Sequence, residues 1–173
     1  MGLKLNVGSG QRPFGKGWTD VDRKRSNNPE VYPDPDVIAD GSHMPMFDND
    51  SAEYIVLFQV LEHFGCGESS KLLAECRRIL SPQGSLLVFV PDMWELVSMW
   101  REGRLSTQVF MTNVYGAYMG DEADRHKWGF DFISLKALLV SNGFQVVMPF
   151  HWISLPGADI ARGSWILGVE AMK

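Results

Sequence analysis

Cysteine is scarce in this chain of 173 residues: Cys66 and Cys76 are the only two, and they form no Cys-x-x-Cys pair. That excludes a disulfide-stapled secreted scaffold and a thiolate zinc site, and it fits a reduced, cytoplasmic protein. Histidines stand at 43, 63, 126 and 151. They lack the spacing of metal ligands along one helix or loop, so no metal is expected. Positive charge is not in excess either. Sixteen Lys and Arg face 21 Asp and Glu, a net charge of −5, which argues against a binder of bulk nucleic acid or of a membrane surface. The short basic run Arg23-Lys24-Arg25 reads as a solvated turn. No apolar run approaches the length of a membrane span, and no signal-peptide pattern precedes the first apolar segment. Repeats, low-complexity tracts and linkers are missing as well. With 45% hydrophobic residues, residues 1–173 read as a single domain with a sizeable core.

What is present begins at once. Leu3 to Val7 is an apolar strand running straight into the turn Gly8-Ser9-Gly10. Glycine has no Cβ, so such a turn lets backbone N–H groups approach a ligand. Trp18 to Asp22 reads as a second strand. The connection between them is too short and too broken by Pro13, Gly15 and Gly17 for a normal crossover helix, and a shortened loop crossover is expected. Val37 to Ala39 reads as a third strand ending at Asp40-Gly41, and Tyr54 to Val60 as a central strand ending near Gln59. Glycine or polar residues thus cap one strand-like run after another, the pattern of a small-molecule site along the carboxyl edge of a parallel sheet.

The second half alternates in the same way. Leu72, Leu73, Cys76, Ile79 and Leu80 fall on one face of a helix over residues 68–80. Ser81-Pro82-Gln83-Gly84 reads as its stop, and Ser85 to Val90 as a fifth strand. Further helices are expected at Met93–Arg101, Ser106–Val114 and Ser134–Asn142, the last with Ser134 as N-cap and Gly143 as its stop. Phe144–Phe150 and Trp165–Met172 read as the last strands. Strands alternating with helices define an α/β fold with a mostly parallel sheet.

These motifs, in this order, resemble those of the small S-adenosylmethionine-dependent methyltransferases of the Rossmann-like class I superfamily. The segments that carry the resemblance are Leu5-Asn6-Val7-Gly8-Ser9-Gly10, Gly17-Trp18-Thr19-Asp20-Val21-Asp22, Asp40 before Met44-Pro45-Met46-Phe47, and Gln59-Val60-Leu61-Glu62-His63. Arg78-Ile79-Leu80-Ser81-Pro82-Gln83-Gly84 and His126-Lys127-Trp128-Gly129-Phe130-Asp131 complete it. The resemblance implies a three-layer sandwich with strands ordered 3-2-1-4-5-7-6 and strand 7 antiparallel, the break at Pro156-Gly157 suiting a returning strand. It implies S-adenosylmethionine as cofactor, with S-adenosylhomocysteine as product. Val7, Gly8, Ser9 and Gly10 would pass beneath its methionine part. Asp22 would accept from the ribose hydroxyls, with Asp20 as the rival carboxylate. Asp40, Gly41 and Ser42 would face the adenine, and the Gln59 carbonyl the ammonium. The methionine carboxylate would rely on Arg12 or on loop N–H groups, because the helix that usually follows the glycine turn is missing here.

Methyl transfer is a displacement at carbon that needs chiefly alignment. A general base is needed only where the acceptor must lose a proton. His63 and His126 are the candidates. Residues 93–131 are read as an acceptor-side insertion or lid in which Trp94, Trp100, Phe110 and Tyr118 line a pocket or simply pack, while Tyr115 is expected to pack. The acceptor is expected to be a small or medium molecule, and a homodimer is possible because little chain covers the first strand. The competing reading is a non-catalytic module that binds S-adenosylmethionine or S-adenosylhomocysteine. A nicotinamide-dependent oxidoreductase is disfavoured, since the third glycine of its fingerprint and the phosphate-binding helix are both lacking.

Overall fold

In a computed structural model of the chain, residues 2–10, 13–23, 34–65, 67–117, 122–145, 147–150 and 165–173 are described. Cys66, Arg12, Tyr118, His151, Pro156 and Gly157 lie outside them. The described residues form one seven-stranded sheet: β1 (Leu3–Val7), β2 (Thr19–Asp22), β3 (Val37–Ile38), β4 (Ala52–Phe58), β5 (Leu80–Pro91), β6 (Val147–Pro149) and β7 (Ile166–Met172). Their order is β3-β2-β1-β4-β5-β7-β6. The first five run parallel, and β7 lies antiparallel to both β5 and β6. This is the topology expected from the sequence. The helices are α1 (Ser69–Ile79), α2 (Met93–Arg101), α3 (Thr107–Tyr115) and α4 (Phe132–Ser141).

Burial follows the strand period. Leu5, Val7, Val21, Ile55, Leu57, Leu86, Val88 and Val90 point to one face of the sheet and share a core with Leu72, Leu73, Cys76 and Ile79 of α1 and with Leu135 and Leu139 of α4. On other positions of the sheet, Val56, Leu87 and Phe89 form a smaller cluster covered by Phe14, Trp18, Phe58 and Phe150. Among the described residues no helix lies between β1 and β2, which pair directly as parallel neighbours. The shortened crossover is therefore as read, with the aromatic pair Phe14 and Trp18 packed edge to face at 5.1 Å.

Three element boundaries differ from expectation. First, α1 passes straight into β5 at Leu80, with no turn between them. The Pro82–Gly84 stretch sits where the β4–β5 register jumps from Ala52↔Leu80 to Tyr54↔Ser85. Turn-forming residues here make a bulge rather than a break. Second, β4 starts earlier, at Ala52, and stops at Phe58, because Gln59 takes a left-handed backbone with φ 57°. Third, the N-cap of α4 is Asp131, not Ser134. The Asp131 carboxylate accepts from the Ser134 N–H at 2.8 Å, and the Asp131 N–H donates to Ser134 Oγ at 3.0 Å. Ser134 is thus the partner in a reciprocal capping box and lies three residues inside. Gly143, at φ 89°, follows the end of α4 as expected.

Candidate functional site

The parallel strands end together. Val37, Val21, Val7, Leu57 and Val88 lie in one row across the sheet, so Gly8, Asp22, Ala39, Phe58 and the residues after them form its carboxyl rim. The glycine turn is hooked onto β2. Both the Gly8 and Ser9 N–H groups donate to the Val21 carbonyl, at 2.8 and 3.1 Å. The Gly10 N–H donates to Asp22 Oδ2 at 2.8 Å. Gly8 has φ 73°, and a Cβ there would come within 2.5 Å of the Val60 side chain. The turn therefore needs glycine both for its backbone and for its closeness to the chain leaving β4. Val7 and Ser9 are buried.

Packing gives Asp20 and Asp22 different surroundings. Asp20 is buried and accepts from Asn6 Nδ2 at 2.7 Å and from the Phe14 N–H at 3.2 Å. Its own N–H donates to Asp36 Oδ2. It holds the crossover loop to β1. Asp22, two residues on, is the carboxylate at the strand tip.

On the next strand end, Asp40 Oδ1 accepts from both the N–H and the Oγ of Ser42, at 2.8 and 2.7 Å. These two bonds hold the Asp40 carboxyl below the usual carboxylate range, so it is ionised at neutral pH. Gly41 is pinched, since a Cβ would meet Val7 and Leu72 at 2.9 and 3.0 Å. The segment beyond it is fixed from α1. Glu75 accepts the Met44 N–H at 2.6 Å, while Arg78 donates to Glu75, to the Met44 and Phe47 carbonyls and to Asn49. At the end of β4, the Gln59 N–H donates to the Phe89 carbonyl, and its side-chain Nε2 is buried with no partner among the described residues. A buried orphan donor is costly unless something accepts from it.

The two candidate bases, far apart in sequence, stand side by side. Their rings pack edge to face with centroids 4.8 Å apart. His63 ends the 3-10 turn Leu61–His63 that follows β4. His126 lies on the loop before α4. The Glu62 carbonyl joins these two segments by accepting the N–H groups of Lys127 and Trp128, at 2.8 and 3.1 Å. The His126 N–H donates to the Tyr115 carbonyl, and its Nδ1 lies 2.8 Å from the Asn113 carbonyl. His63 Nδ1 lies 3.2 Å from the Arg125 carbonyl. Burial lowers the pKa of both imidazoles. For His63 the carbonyls of Arg125 and Ala123 partly oppose the shift, and for His126 the neighbouring His63 adds to it. Both rings are held toward the neutral form that a base requires.

Asn113 was not singled out in the sequence, and Glu62 entered only as part of the Gln59–His63 motif, yet both set this geometry. Asn113 also accepts from Trp165 Nε1 at 2.9 Å, tying α3 to the start of β7. Of the aromatic residues on α2 and α3, Trp100 stacks on Phe110 at 5.0 Å. Trp94 is 76% exposed and borders a shallow cavity of about 260 Å³ with Met93, Val97 and Phe130, where α2 leaves β5. Tyr115 is 58% exposed and contributes its carbonyl rather than packing. Among the described residues no helix is long and apolar enough to cross a membrane.

A sheet in this order, with an antiparallel seventh strand, is the Rossmann-like fold of the class I methyltransferases. Residues 16–88 match the family described as a methyltransferase domain. Solved structures of similar fold include a SAM-dependent methyltransferase from Archaeoglobus fulgidus (14% identity, TM-score 0.64, covering 99% of this chain and 86% of that one). Another is human N-acetylserotonin methyltransferase in complex with SAM (20% identity, TM-score 0.62, 99% and 47%). A third is Burkholderia thailandensis 1,6-didemethyltoxoflavin-N1-methyltransferase, with its didemethyltoxoflavin and S-adenosylhomocysteine bound (16% identity, TM-score 0.59, 99% and 71%). The chain spans about half the length of some such structures, 47% of the human enzyme and 52% of a Nostoc punctiforme protein. No curated protein matches the sequence.

Proposed function

We propose that this chain transfers the methyl group of S-adenosylmethionine to a small or medium-sized acceptor. The observation that carries the reading is the carboxyl rim: a glycine turn bonded through Gly10 to Asp22, beside an ionised Asp40 and the orphan amide of Gln59. These groups fit an adenosyl ligand. Asp22 offers an acceptor to a ribose diol. Asp40, with one oxygen taken by Ser42, offers its second toward an exocyclic amine. Gln59 offers a carbonyl for an ammonium and a buried donor in want of an acceptor. Val7 to Gly10 form the floor, and Gly41 and Ser42 a wall. When bound, S-adenosylmethionine supplies an electrophilic methyl on a sulfonium that is already a good leaving group.

The chain's own part is alignment, exclusion of water and, for a hydroxyl acceptor, removal of a proton. His126 and His63 are the groups proposed for that last task. Residues 93–131 are proposed to border the acceptor, and relatives that act on N-acetylserotonin and on didemethyltoxoflavin make a small aromatic acceptor a reasonable first panel. Calorimetric titration with S-adenosylmethionine, S-adenosylhomocysteine and NAD tests the reading. Saturable binding of the two adenosyl ligands, none of NAD, and strong loss in Asp22→Asn are expected. Failure of both adenosyl ligands to bind would sink it. Binding without transfer of label to any acceptor would leave the chain a binding module.

A further inference from the structure

We propose that Glu62, His63 and His126 form a binding site for a divalent transition-metal ion, with two imidazoles and one carboxylate as ligands. One ligand atom from each of the three residues lies within 4.8 Å of the others. Bonds of about 2.1 Å require the ligand atoms to draw in to roughly 3–4 Å of one another, a movement that side-chain rotations can supply.

The tautomers point the same way. A carbonyl oxygen only accepts, so the nitrogen facing it must carry the proton. His126 Nδ1 faces the Asn113 carbonyl and His63 Nδ1 faces the Arg125 carbonyl, which leaves the lone pair of each ring on Nε2. Metal-binding histidines are characteristically oriented by such a bond from the other ring nitrogen to a backbone carbonyl. The third ligand is a carboxylate on a residue only 1% exposed.

The backbone that carries the three residues is already joined. Lys127 and Trp128 donate to the Glu62 carbonyl, and His126 to that of Tyr115. Glu62 and His63 on the turn after β4 are thereby locked against the loop that carries His126, before any ion arrives.

Two nitrogens and one oxygen suit Zn²⁺, Mn²⁺, Fe²⁺ or Co²⁺, and not Mg²⁺ or Ca²⁺, which demand oxygen. Three protein ligands leave open positions for water or for an oxygen of the acceptor. On the reading of this edge as the acceptor side, an ion there would take an acceptor bearing a hydroxyl or phenol and make that group more acidic. The lone pairs of His63 and His126 would then lie on the ion, and the two rings would be ligands rather than bases. Histidine spacing hid the site, because its ligands come from segments that only the fold brings together.

The test uses the full chain, stripped with chelator and free of adenosyl ligand. Co²⁺ is titrated by visible absorption and calorimetry, with Zn²⁺ and Mg²⁺ in parallel. Co²⁺ and Zn²⁺ are expected to bind at one per chain, with d–d bands for Co²⁺ and no binding of Mg²⁺. His126→Gln, a loop substitution, and His63→Gln should each weaken binding more than about tenfold while far-ultraviolet circular dichroism stays unchanged. The absence of a one-to-one complex, or a complex that neither substitution weakens, overturns the site. The outcomes separate from those of methyl transfer. Metal binding without adenosyl binding keeps the site and sinks the transferase reading. Adenosyl binding without metal binding overturns the site and leaves the two histidines as bases.

Discussion

At Asp20 and Asp22 the same side chain, two residues apart, has opposite duties. Asp20 holds a buried bond to Asn6 and caps the Phe14 N–H, so Asp20→Ala should cost about 1–3 kcal/mol of stability, read by urea unfolding. Asp22→Asn should change stability little and adenosyl affinity greatly, since only Asp22 stands at the rim. Its place at the end of the Trp18–Asp22 run made Asp22 legible as the tip residue in the sequence. The buried role of Asp20 was not, because it depends on a side chain of the neighbouring strand. The nearness of His63 to His126 was hidden for the same reason. A second residue-scale prediction concerns acid. Bonds from Arg78 and the Met44 N–H hold the Glu75 pKa below its ordinary value. A depressed carboxylate stabilises the fold above the unfolded-state pKa of about 4.3 and loses that contribution as the pH falls through the folded value. Glu75→Gln should therefore lower the melting temperature at neutral pH and flatten its fall below about pH 4.3, with the two proteins converging in acid.

The elements around the histidines turn on Gly116. It caps the end of α3 with φ 81°, and a Cβ there would strike the Asp124 carbonyl and crowd His126. Gly116→Ala should destabilise the protein by about 1 kcal/mol or more and shift the His126 ring resonances by nuclear magnetic resonance, leaving those of residues on β1 and β2 unmoved. Helices with a capping residue or an apolar stripe, such as α1 and α2, were readable to within a residue or two. The stretch after α1 misled because Pro82 and Gly84 have turn chemistry. Yet a Cβ on Gly84 would lie 2.8 Å from the Ala52 carbonyl, which shows a close strand approach, a tertiary demand that no local pattern carries. Likewise Ser134 and Asp131 are both good caps, and only the direction of the chain entering α4 decides between them.

For the whole molecule, the strand order was what the family resemblance implied, and the near-continuous apolar run of β4 placed that strand centrally. The unequal distribution of the core did not follow from them. Among the described residues, twenty-three buried ones gather in the cluster beneath α1 and α4, and three in the opposite cluster. The rim between β1 and β2 is attached by the three bonds to Val21 and Asp22, with no helix among the described residues to brace it. Whatever sits on that rim acts as part of the scaffold. Occupancy and folding are then one equilibrium, and a ligand at a hundred times its dissociation constant should add about 2.7 kcal/mol to the unfolding free energy. The melting temperature should climb with the logarithm of its concentration, and in the cell the lifetime of this chain would follow the supply of the molecule it holds.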